Sequence, residues 1–231
     1  MKNYYNKKYF RERDVLSPHI AQVIKIFIKN NNLKNVLDVG CGTGRLVKFL
    51  NQAGFAATGC DSQKKALKIA KKINNSKVII EASATKLPFG NNSFDLVTAI
   101  SVIEHLTRDE VSQFIAEAAR VLKTGGFIFL ITPNFASPIR VIQGKNWFGY
   151  RDPTHITFFT PGSLSRILKS HRFSKIKFNF KIAYQPSFDW EFPPIFSKFP
   201  KILKYFLIYL FFSTRLAFLR NGFWIGAQKH D

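Results

Sequence analysis

Acidic residues are scarce in this chain: 14 Asp plus Glu stand against 35 Lys plus Arg, a formal net charge of +21. From Ala118 onward the only acids are Asp152, Asp189, Glu191 and Asp231. Such a field favours anionic partners: nucleic acid, acidic lipid head groups or phosphorylated substrates. The joint abundance of Lys, Ile, Asn and Phe would equally follow from AT-biased coding, and both readings stand. Cysteine is nearly absent. Cys41 and Cys60 form no CxxC and no Cys/His ligand spacing, so neither a disulfide framework nor a metal site is expected. The uninterrupted apolar run Tyr205 to Phe212 is eight residues, far short of the roughly 20 that cross a bilayer as a helix. The opening stretch MKNYYNKKYF has no apolar core of the secretory kind, so a reducing, cytoplasmic setting is expected. What is present is an ordinary 46% apolar content over 231 residues, enough for a single well-buried domain.

Periodicity supplies the architecture. Ser17-Pro18 reads as an N-cap with proline at the first helical position, and Ile20, Val23, Ile24, Phe27 and Ile28 predict a helix over about 18–30. Short apolar runs predict strands at 36–39, 56–60, 78–80, 94–100 and 127–132. Helices are expected from Gly44, from Ser62 as a cap with Ala66, Leu67, Ile69, Ala70 and Ile73 on one face, and over Val111 to Leu122, closed by Gly125-Gly126. Continuous apolar strands alternating with amphipathic helices mean an α/β fold: a mostly parallel sheet with helices on both faces.

VLDVGCGTGRL, residues 36–46, places Gly40, Gly42 and Gly44 at a strand-to-helix turn. Glycine there permits positive φ and lets a ligand approach bare backbone, while the loop N–H groups and helix N-terminus favour an anion. A dinucleotide fingerprint would need glycine where Arg45 stands, and a P-loop would need Gly-Lys-Ser/Thr. An acid, Asp38, followed by G-x-G-x-G resembles motif I of the class I S-adenosylmethionine-dependent methyltransferases.

Other landmarks follow in that family's order: Asp61 ending the second strand, SATKLPF at 83–89, FDLVTAISVIEHL at 94–106, RVLKTGGFIFLITPN at 120–134, and more loosely HITFFTPGSLSRIL at 155–168. The resemblance is to the ubiquinone-biosynthesis-like small-molecule branch. It implies a Rossmann-like sheet of seven strands with the last antiparallel and S-adenosylmethionine as cofactor. It also implies donor contacts from Asp38, Gly40, Cys41, Gly42, Gly44, Asp61, Ser62, Ser83, Ala84, Thr85, Ile100 and Ser101, with Asp61 on the ribose hydroxyls. Two residues depart from the pattern: Ser83 replaces the usual acid beside the adenine, and Thr124 the proline of the RVLKPGG turn.

Methyl transfer from a sulfonium needs alignment, plus a base when the nucleophile carries a proton. Candidates are Glu104-His105, at the carboxyl edge after the fourth strand, and His155, in a loop expected to close over the same edge. Each competes with a merely structural role.

The acceptor is narrowed by absences. The [N/D]PP[YF] loop of base amino-methylation reads SVIE here, and no cysteine follows the fourth strand as a C5 nucleophile. From Pro193 to Leu219 the chain is apolar and basic without one acid, with Lys198, Lys201, Lys204, Arg215 and Arg220 in or beside it. That composition fits a helical insertion that lies on an anionic membrane surface, lines an apolar pocket or packs on a partner. The expected organisation is one domain. It comprises a helical lid over 1–35 with Tyr4, Tyr5 and Tyr9, a cofactor-binding core over 36–134, and a substrate-side loop, helix and strand over 135–192. An apolar basic insertion over 193–220 and a last strand over 221–231 complete it. The expected activity is methyl transfer to oxygen or carbon of a small apolar or lipid-linked acceptor. RNA or protein methylation on the basic surface, or a non-catalytic membrane-associated module, are the alternatives.

Overall fold

A computed structural model describes residues 16–178, 198–213 and 220–230. In chain order the described elements are α1 (Pro18–Asn30), β1 (Asn35–Val39), α2 (Arg45–Gln52), β2 (Ala56–Asp61), α3 (Lys64–Ile73), β3 (Ile79–Glu81) and β4 (Phe94–Ile100). They continue with α4 (Arg108–Val121), β5 (Leu122–Pro133), α5 (Pro138–Gln143), α6 (Phe148–Arg151), α7 (Pro161–Ser170), β6 (Phe173–Phe178), α8 (Lys201–Ser213) and β7 (Gly222–Lys229). The strands form a seven-stranded sheet in the order β3-β2-β1-β4-β5-β7-β6. β1 through β5 pair in parallel, and β7 runs antiparallel to both neighbours. The order reverses beside β1, and open α/β sheets bind ligands at such a switch point.

Period-two alternation divides the apolar residues between two cores. Leu37, Val97, Ile128, Leu130 and Ile225 face α4 and α7. Val36, Leu96, Phe129, Ile131 and Trp224 face α1, α2 and α3. Strands buried on both faces are why β1 and β4 read as unbroken apolar runs.

Several expectations need correction. Within the stretch read as a helical lid, the described part is α1, a layer of the core: Ile24 and Ile28 are fully buried against the sheet. Residues 1–15, with the three tyrosines, lie outside the described residues. Ser62 is not a cap. The N-cap of α3 is Gln63, without a side-chain bond, and Asp61 Oδ1 accepts the Gln63 N–H instead. Ile69, expected on the buried face of α3, is 37% exposed. Gly125-Gly126 does not close a helix. α4 ends where Leu122 turns extended, and pairing jumps from Phe94↔Leu122 to Leu96↔Phe127, so the glycines sit in a bulge within β5. The insertion expected over 193–220 is described only at 198–213 and Arg220, with α8 inside it. Among the described residues no helix is long and apolar enough to cross a membrane.

Asp95 fastens the bottom of the sheet. Oδ2 accepts the Lys34 and Asn35 N–H groups at 3.0 and 2.8 Å, and Oδ1 accepts from Lys123 Nζ at 2.7 Å. Burial alone would raise its pKa; the Asn35 N–H and Lys123 ammonium outweigh that and hold it below the ordinary carboxylate range. Asp95→Ala is expected to lower unfolding free energy by about 1–3 kcal/mol at neutral pH, read by urea denaturation. Because the folded-state pKa is depressed, that contribution exists above the unfolded value and fades as pH falls through the folded one. Wild type and variant therefore converge in acid.

Candidate active site

The glycine loop leaves β1 at the switch point. Gly40, Gly42 and Gly44 have φ of +71°, +53° and +74°, three left-handed residues within one turn. Two consecutive N–H groups, of Gly40 and Cys41, donate to Cys60 O at 2.8 and 3.0 Å, which ties the loop to the end of β2. The Gly42 N–H donates to Asp61 Oδ2 at 2.9 Å. Asp61 thus orders the loop with one oxygen and the start of α3 with the other. Asp38 is buried in β1 and accepts from Thr98 Oγ1 at 2.8 Å. Both cysteines are buried and neither is in a disulfide. Burial, then Asp38 and Asp61, push the Cys60 thiol up to about 12, so it is inert at neutral pH. Ser83 and Thr85 close their own turn, with hydroxyls 2.8 Å apart and the Thr85 N–H donating to Ser83 Oγ. This turn stands beside Asp61, whose carbonyl accepts the Ala82 N–H.

At the end of β4, Ile100 is half-buried and Ser101 takes φ +52°, a left-handed position for a residue with a Cβ. Such strain collects at functional sites. It turns the chain into the 3₁₀ turn Ile103–His105, and the Thr107/Glu110 capping box starts α4 immediately after. Glu104 is thereby driven inward, to 1% exposure. Its Oε2 accepts from Thr132 Oγ1 at 3.0 Å, and its Oε1 has no hydrogen-bond partner among the described residues. Burial pushes this carboxyl up to about 7, against hydrogen bonds that pull it down.

The loop after α6 folds back over this edge. Its Ile156 and Thr157 N–H groups both donate to Glu104 O, and Thr157 Oγ1 donates to Leu106 O at 2.6 Å. His105 and His155 consequently stack edge to face, 4.8 Å between ring centroids. Asp152 Oδ1 accepts from Thr154 Oγ1 at 2.6 Å, and Thr154 Oγ1 lies 2.9 Å from His105 Nδ1. The threonine proton is committed to Asp152, so Nδ1 of His105 is the donor in that contact. His155 Nδ1 lies 2.7 Å from Gly149 O, which can only accept, so Nδ1 carries the proton there too. Burial, then the neighbouring His155, lower the pKa of His105. Burial alone would raise that of Asp152; bonds from Thr154 and the two imidazoles hold it below its ordinary range.

Asp152, Thr154, Thr132 and Thr98 were not singled out from the sequence as site residues. Only Asp152-Pro153-Thr154 bore a signal, the Asx-turn pattern in which Asp152 Oδ1 accepts the Thr154 N–H.

The loop, its neighbouring acids and the Ser83 turn fit an adenosyl donor: a left-handed glycine bend beside two carboxylates. Residues 37–130 match the family model described as a methyltransferase domain. Over this stretch the chain is similar to methyltransferase domains. The chain is 32% identical over 133 residues to the ubiquinone biosynthesis O-methyltransferase of Nitrosomonas europaea, an alignment covering 54% of each chain. It is 38% identical over 109 residues to that of Nitrosospira multiformis, covering 44% of each. The chain therefore spans about half the length of the curated relatives it matches. A solved S-adenosylmethionine-dependent methyltransferase from Archaeoglobus fulgidus superposes with a TM-score of 0.65 at 20% identity, covering 97% of this chain and all of that one, a likeness of fold.

Proposed function

We propose that this protein transfers a methyl group from S-adenosylmethionine to an oxygen of a small apolar or lipid-linked acceptor. The observation that carries this reading is the convergence of Glu104, His105 and His155 at the carboxyl edge of the sheet, one strand from the glycine loop. The donor supplies an electrophilic methyl on a sulfonium. The glycine loop and Asp38 hold its methionyl end, Asp61 its ribose and the Ser83–Thr85 turn its adenine, with a hydroxyl in place of the family's acid. The imidazole pair meets the acceptor hydroxyl and receives its proton. Oxygen is favoured over carbon because such a cluster serves a protic nucleophile, and the relatives' names describe O-methylation.

An apolar acceptor agrees with Val141, Ile142, Tyr150 and Ile156, which are exposed on the segment that carries His155. A second apolar surface is α8, where Ile202 is 81% and Phe206 57% exposed beside Lys201 and Lys204. Apolar side chains beside lysines, in a helix whose sequence holds no acid, suit an anionic bilayer surface. Vesicles with phosphatidylglycerol are expected to float the protein, and the Phe206→Glu/Tyr209→Glu double variant to stay in the dense fraction. Equal flotation of both would remove the membrane from this reading. The acceptor itself is sought in extracts of a strain lacking the protein, as a species lighter by one methylene; an unchanged metabolite profile would contradict a small-molecule acceptor.

Asp61→Ala is expected to weaken S-adenosylmethionine binding by about 1–3 kcal/mol, the size of a lost charge-assisted hydrogen bond. Asp61→Asn, which keeps one acceptor oxygen, should fall between it and wild type in isothermal titration.

A further inference from the structure

A cleft of about 640 Å³ lies on the α1 face of the sheet, a volume in the range that takes a small ligand. Asn30 and Asn31, at the end of α1, line one side, and Lys175 and Lys177 of β6 the other. Between them lie Phe127 and Phe129 of β5 and Gly226 of β7. Phe127 pairs with Leu96 near the start of β4, whereas the glycine loop leaves the far end of β1. The cleft and the glycine loop therefore stand at opposite ends of the sheet. Phe27 packs edge to face on Phe127, 5.5 Å between centroids, and both are half-buried, so part of each ring faces the cleft. Gly226 keeps this wall open, since a Cβ there would stand 3.2 Å from the Phe27 ring.

The polar lining is of two kinds. Asn31 Nδ2 donates to Phe27 O at 2.8 Å and Gln228 Nε2 to Gly125 O at 2.9 Å. Those carbonyls only accept, which fixes both amide nitrogens, so each side chain keeps its own carbonyl oxygen as an acceptor. The cations are Lys175 and Lys177, both exposed and neither in an ion pair among the described residues. No acid is among the described residues that line the cleft. Lys175 is held there against its backbone preference. Pairing jumps from Ser174↔Gln228 to Lys177↔Gly226, a bulge with one extra residue on β6, and Lys175 takes φ +46°. Bulges re-aim side chains, and a left-handed position strains any residue with a Cβ.

We infer that this cleft binds a nucleoside 5′-monophosphate, its phosphate on Lys175 and Lys177 and its base against Phe27 and Phe127. Aromatic rings and cations are the common means of holding a nucleotide without reading its sequence. The base also supplies the N–H donors that the Asn31 and Gln228 oxygens require. A fatty-acid carboxylate would bring an anion and an apolar body but no such donor. A free nucleotide and the 5′-terminal nucleotide of an RNA share this chemistry. The site lies away from the Glu104 edge, so its occupant is not the methyl acceptor, and the inference does not rest on the methyl-transfer reading.

The test is isothermal titration of the full chain, with S-adenosylhomocysteine added in excess to fill the donor site. The probes are AMP, UMP, inorganic phosphate, decanoate and a 5′-phosphorylated RNA pentamer. One AMP or UMP per chain is expected, at least about 10-fold tighter than phosphate or decanoate. The Lys175→Gly/Lys177→Gln double variant should weaken nucleotide binding about 10- to 100-fold, the worth of lost charge-assisted contacts. Its Tm should not fall, because glycine accepts the left-handed position without strain. A pentamer that binds more tightly than AMP assigns the site to an RNA end; equal or weaker binding assigns it to the free nucleotide. No nucleotide binding, binding indifferent to the double variant, or phosphate or decanoate bound as tightly as AMP overturns the inference. UMP lacks the donor's base and reports on the cleft even where S-adenosylhomocysteine does not bind. That second failure would count against the methyl-transfer reading alone.

Discussion

Gly42→Val is expected to abolish S-adenosylmethionine binding while leaving the protein folded. Gly42 sits at φ +53° between two further left-handed glycines. A β-branched residue is a genuine outlier in that region, and the left-handed conformation costs an ordinary residue about 1–2 kcal/mol. For a chain of this size that strain lowers Tm by only about 2–8 °C. The effect on the ligand is far larger. The valine methyls would fill the bend that a donor must enter, and relaxing φ would pull the Gly42 N–H off Asp61 Oδ2, 2.9 Å away. Isothermal titration should show at least about a 100-fold loss beside a thermal melt that stays cooperative. Retained affinity would mean that the glycine bend is not the donor cradle. Gly40 is the poorer position for this test, because a Cβ there runs into the Val102 side chain and disturbs the turn leading to Glu104.

His155→Ala should lower turnover about 100- to 10,000-fold, the usual worth of a positioned proton-transfer group, with donor affinity unchanged. The assay is transfer of labelled methyl from S-adenosylmethionine into a lipid extract of a strain lacking the protein. The split between the two quantities matters. His155 Nδ1 bonds Gly149 O and the ring stacks on His105, both on the acceptor side, and no hydrogen bond links it to the glycine loop. A loop anchor would act through general loosening, lowering stability and donor affinity together. Turnover equal to wild type would remove His155 from the chemistry.

The glycine bend was readable in one dimension because its physics is local. A strand ending in an acid, followed by alternate glycines, can hardly adopt anything but a left-handed bend, and the φ values of Gly40, Gly42 and Gly44 are of that kind. Strand β4 was bounded correctly for the same reason: both faces are covered, so its apolar run is continuous. Errors arose where a local signal had a competitor nearby. Ser62 looks like a cap, but the Asp61 carboxylate reaches the Gln63 N–H first. Gly125-Gly126 looks like a helix stop, yet the chain had already turned at Leu122, and the glycines instead let β5 bulge around Asp95. Ile69 has helical spacing but stands on the exposed side of α3.

By itself, the sequence determined the sheet, its helices, and a glycine bend whose backbone no other residue type would adopt without strain; each depends on neighbours within a few residues. Tertiary structure alone decided that Glu104 and His105 meet His155, because that encounter depends on two N–H groups of a distant loop finding the Glu104 carbonyl. It also decided which imidazole nitrogens carry protons, since Gly149 O, Thr154 and Asp152 come into place only when that loop closes.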